Sequence, residues 1–91
     1  MAYGVGIGNV DAKEHLSNWI IAKGNWKATE YYTNGVSFFN PKTNEGLLFV
    51  VFPLTGKYLV QAEKDGKAKI LYRGRCGLDA KVKLEVYMER N

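Results

Sequence analysis

From Trp26 onward the chain is punctuated by turn-forming residues at strand spacing, and the runs between them alternate with period two. That pattern confines it to an antiparallel meander, because parallel strands would need long helical crossovers between them. Asn34-Gly35 predicts a type I′ hairpin between the runs at residues 27–32 and 36–39, since both residues tolerate positive φ. Residues 40–46 form a longer connection into the apolar run 47–52, which Pro53 and Gly56 end. Residues 57–63 form the next strand, and Lys64-Asp65-Gly66 turns the chain into residues 67–75. A last alternating run spans residues 81–89. It sets Val82, Leu84, Val86 and Met88 on one side and Lys81, Lys83, Glu85, Tyr87 and Glu89 on the other.

Ahead of the meander, Tyr3, Val5 and Ile7 alternate with glycine as a short strand would. Asp11 and Glu14 then have capping-box spacing, and Leu16, Trp19 and Ile20 fall on one helical face. The expectation is a helix over residues 12–23, stopped by Gly24. With 91 residues the chain supports a single core, so residues 1–91 are read as one domain. The fold class expected is α+β, one N-terminal helix packed on an antiparallel meander of about six strands. Phe38-Phe39 and residues 47–52 place apolar groups on both faces of their strands. This predicts central strands, a partly closed barrel, or a homodimer interface over the second face.

The longest apolar run, residues 47–52, is far below the roughly 18 residues of a membrane span, so no membrane association is expected. The first residues lack the charged and apolar regions of a signal peptide, and the lone Cys76 has no partner for an internal disulfide. Both point to the cytoplasm.

Charge is the strongest positional signal. Residues 1–63 are neutral, residues 64–83 carry a net charge of +5, and residues 84–91 carry −1. Lys67, Lys69, Arg73, Arg75, Lys81 and Lys83 all have odd numbers, so on a hairpin turning at residues 76–80 they share one face. Arg75 then opposes Lys81 and Arg73 opposes Lys83, while Lys69 faces Tyr87 and Lys67 faces Glu89. Like-charged pairs of this kind cost up to about 1 kcal/mol each, a penalty an anion between them would relieve. The two arginines suit phosphate, and Tyr87 is placed to stack on a base. A solvated strand face rich in lysine, resisting sheet-to-sheet aggregation, accounts for the same pattern.

Catalytic and metal constellations are sparse. His15 lies four residues after Asp11 on the expected helix, without the further His or Cys a zinc site requires. Ser17 and Ser37 lack a nucleophile-elbow context, and Cys76 has cationic neighbours but no adjacent histidine. The glycines at positions 4, 6 and 8 do not complete a phosphate-loop motif. No cofactor, metal or enzymatic activity is expected.

The function expected is therefore binding. The first reading is a small protein that engages nucleic acid or a nucleotide through a basic C-terminal β-hairpin of Lys67, Lys69, Arg73, Arg75, Lys81, Lys83 and Tyr87. The alternative is a protein–protein module, such as a small inhibitor or adaptor docking on an acidic surface of a larger assembly.

Overall fold

The computed structural model describes residues 19–90. Five strands follow one another, β1 (Lys27–Tyr32), β2 (Gly35–Asn40), β3 (Glu45–Phe52), β4 (Lys57–Lys64) and β5 (Lys67–Gly74), and then one helix, α1 (Gly77–Arg90). Each strand pairs antiparallel with the next, giving one sheet in the order β1-β2-β3-β4-β5.

This overturns the expected N-terminal helix on six strands. The sheet has five strands, and a C-terminal helix occupies the residues read as a sixth. The expected helix over residues 12–23 and the short strand of Tyr3, Val5 and Ile7 lie largely or wholly outside the described residues, and residues 20–23 are not helical. Among the described residues the partly closed barrel does not form either, because β1 and β5 do not pair with each other and stand as the two edges of the sheet.

The physical reason for the misread segment lies in its period. A residue four places on satisfies both strand alternation and the helical repeat, so Leu84 and Met88 fit either. In α1 they join Ala80 on one buried face, while Val82 and Val86 from the same alternating set turn outward, 48% and 36% exposed. Leu, Lys, Glu, Met and Arg dominate the segment and favour the helix. Its start is capped by Cys76, whose Sγ accepts the Asp79 N–H at 3.5 Å and whose carbonyl accepts the Ala80 N–H at 3.1 Å. Asp79 in the first turn and Arg90 in the last complement the helix dipole.

The hairpins hold a second correction. The β1–β2 loop is Thr33-Asn34, since Tyr32 pairs with Gly35. The two-residue left-handed turn is instead Asp65-Gly66, with φ of 55° and 78°. Gly35 is required for close approach rather than for a turn: a Cβ there would overlap the Phe49 carbonyl oxygen of β3. Asn34 completes this corner, accepting the Val51 N–H at 2.8 Å and donating its side-chain amide to the Val51 carbonyl at 3.0 Å.

The core occupies one face of the sheet. Val36, Phe38, Leu47, Phe49, Val60 and Ala62 point to that side and meet Ala80, Leu84 and Met88 of α1 together with Ile20 and Trp26. The helix lies over β5, β4 and β3. Trp19 meets Phe49 edge-on at 6.1 Å, and Tyr58 tilts against the same ring at 5.9 Å.

Candidate functional site

Directly paired residues on neighbouring strands point the same way, so the register assigns each side chain to a face. On the helix side, Glu45 opens β3 and is 7% exposed. It accepts a 2.6 Å hydrogen bond from the Tyr87 hydroxyl. Burial, and then the Glu45 carboxylate, push the Tyr87 hydroxyl up to about 12 from its ordinary 10.0. The Tyr87 ring also meets Trp26 at 6.1 Å. Tyr87 thus joins the helix to the sheet, its hydroxyl bonded to Glu45 and its ring packed against Trp26 rather than presented for stacking on a base.

The basic residues do not assemble into the expected ribbon. Residues 81–89 are helical, so the pairings Arg75–Lys81, Arg73–Lys83, Lys69–Tyr87 and Lys67–Glu89 do not form. Lys67 pairs with Lys64, and Lys69 pairs with Ala62, which places all three lysines on the helix side. The β4–β5 register then shifts, with Val60 opposite Tyr72 and Gln61 opposite Ile70, leaving Leu71 as an extra residue. Side-chain parity flips there, so Arg73, opposite Leu59, faces the other side. Arg75 is exposed in the link to α1, Lys81 bonds Glu85 at 3.0 Å within the helix, and Lys83 is exposed on it. Of the expected ribbon Lys67 and Lys69 stay together, joined by Lys64.

Cys76 is exposed and serves as the helix cap, its own N–H donating to the Tyr72 hydroxyl at 3.1 Å. Gly74 and Gly77 flank it, and a Cβ on either would come within 2.6 or 2.8 Å of a tyrosine hydroxyl, Tyr72 and Tyr58 respectively. Asp11, His15 and Ser17 lie outside the described residues. Ser37 shares a 2.9 Å hydroxyl contact with Thr29. Among the described residues no group of three or more His, Cys, Asp or Glu could hold a metal ion, and no helix is long and apolar enough to cross a membrane.

Among the described residues, no helix covers the opposite face of the sheet. Its middle holds Leu48 and Val50 of β3 with Leu59 and Gln61 of β4, all half-buried among their neighbours. Around them Tyr32, Phe39, Phe52 and Ile70 are 37–47% exposed. Toward β1 the face becomes polar, where Thr29, Ser37, Glu30 and Tyr32 hydrogen-bond to one another. At the two ends of β4 stand Lys57 and Glu63, both exposed and neither in an ion pair among the described residues. Sequence reasoning placed Phe38-Phe39 and residues 47–52 as apolar on both faces, as the register has them, but had no means of knowing which face the helix would take. A second, narrower apolar stripe, Leu78, Val82 and Val86, runs along the outside of α1.

Comparison with protein-family models, with curated proteins and with solved structures finds no match to this chain.

Proposed function

We propose that the chain is a non-enzymatic protein-interaction module that docks through the open face of its sheet. The observation that carries this reading is the clustering of Phe39, Leu48, Val50, Phe52, Leu59 and Ile70 on a face no element of the described residues covers. Isolated exposed apolar residues are ordinary on proteins, but a contiguous aromatic and aliphatic cluster rimmed by charge has the makeup of an interface core. Its margin carries both signs of charge, Lys27, Lys57 and Arg73 beside Glu30 and Glu63, which suits orienting a partner by paired charges. A reducing compartment, the cytoplasm, suits the exposed thiol of Cys76.

A second reading, binding of nucleic acid or a nucleotide, rests on Lys64, Lys67 and Lys69 sharing the helix side of the β4–β5 hairpin. One experiment separates the two. Partner retention on the immobilised chain and anisotropy of labelled oligonucleotides at two salt concentrations are compared for Phe52→Asp with Ile70→Asp and for Lys67→Ala with Lys69→Ala. The docking reading expects retention lost in the first pair and kept in the second. Oligonucleotide binding with a steep salt dependence, lost only in the lysine pair, would overturn it in favour of the anion.

A further inference from the structure

Resting on the docking reading, we infer that the open face is self-complementary and that its partner is a second copy of this chain, joined face to face about a two-fold axis across the strands.

The register supplies the argument. On β3 the open face presents Gly46, Leu48, Val50 and Phe52, and on β4 it presents Glu63, Gln61, Leu59 and Lys57 at the paired positions. An axis in the interface plane, perpendicular to the strands and midway between the Leu48–Gln61 and Val50–Leu59 pairs, lays each strand over its own copy in reverse. Leu48 then meets Val50, and Phe52, the largest exposed ring of the face at 44%, meets Gly46, where no side chain stands in its way. Lys57 meets Glu63, and Glu63 meets Lys57. A strand with opposite charges at its two ends is complementary to its own reversal, and neither charge has an ion-pair partner among the described residues. Packed sheets cross at about 30°, which displaces the ends of the strands by roughly one strand width, a distance lysine and glutamate side chains span.

The size fits as well. Five strands at about 4.8 Å and six to eight residues at about 3.3 Å give a face of roughly 500 to 600 Å². Two copies would bury about 1,000 to 1,200 Å², at the lower bound of a specific interface. A dimer that dissociates within the micromolar range is expected.

Sedimentation velocity from about 1 to about 300 μM, where an interface of this size associates, tests the inference on the full chain and on K57E, E63K and K57E/E63K. Both positions are exposed, so the variants keep the fold, which circular dichroism checks. The expected result is a concentration-dependent dimer that each single reversal weakens about tenfold, by setting like charges opposite at two symmetric places, and that the double reversal restores. A wild type that stays monomeric, single variants that dimerise unchanged, or a double variant weaker than either single one would overturn the second-copy inference. If the wild type is monomeric while Phe52→Asp still abolishes retention of another partner, the docking reading stands and only the identity of the occupant falls. If neither is seen, both fall.

Discussion

The two faces of the sheet are built from the same strands but differ in what they demand of their residues. On the helix side, Val36, Phe49 and Val60 are fully buried, and each apolar side chain meets another element. On the open side, Phe39, Phe52 and Ile70 retain more than a third of their surface. Burial stabilises by the area removed from water, so the first face holds the fold together while the second contributes little until something covers it. A domain this small keeps such a face at some risk of aggregation, which is the physical ground for reading it as an interface.

Paired substitutions break this comparison most directly. Phe49→Ala, in the fully buried row, is expected to destabilise by about 4 kcal/mol, whereas Phe52→Ala on the open face is expected to lose no more than about 1 kcal/mol. Denaturant unfolding of both variants at a concentration where the protein is monomeric checks the difference, and equal losses would refute the assignment of faces.

Tyr87→Phe addresses a polar link on the helix side, between α1 and the buried Glu45. It leaves the Glu45 carboxylate without its 2.6 Å donor, at an expected loss of about 2 kcal/mol. The same pair predicts a pH response. Because the Tyr87 hydroxyl sits at about 12 in the folded chain and near 10.0 otherwise, its contribution is intact below pH 10.0 and fades as pH rises toward 12. Ultraviolet titration should show one tyrosine ionising about two units late, absent in Tyr87→Phe. A Tyr87→Phe chain with an unchanged alkaline unfolding profile would contradict the link.

The smallest effect is expected outside α1. Val82→Lys, at a position 48% exposed, should change stability by no more than about 0.5 kcal/mol. A loss comparable to that of a core residue would mean that this side of the helix is covered.

Much of the meander was legible in the sequence, because turn chemistry is local. Asp65-Gly66 and Pro53 to Gly56 mark hairpins through backbone preferences that need no knowledge of the rest of the chain. Asn34-Gly35 misled for the same reason: glycine serves φ in one place and close approach in another, and only the position of the Phe49 carbonyl distinguishes them. The expected geometry of the basic hairpin departs from the structure at two points that no local rule reaches, the extra residue at Leu71 and the helix at residues 77–90.

The sequence alone determined that the chain would form consecutive antiparallel strands, since strand period and breaker spacing are properties of neighbouring residues. It also determined that residues 47–52 would be apolar on both sides. Tertiary structure decided which period residues 81–89 obey, because Leu84 and Met88 satisfy both and are settled only by the uncovered sheet they bury against. It decided likewise which face of the sheet is buried, a choice made by where α1 and residues 19–26 come to rest and not by any property of the strands themselves.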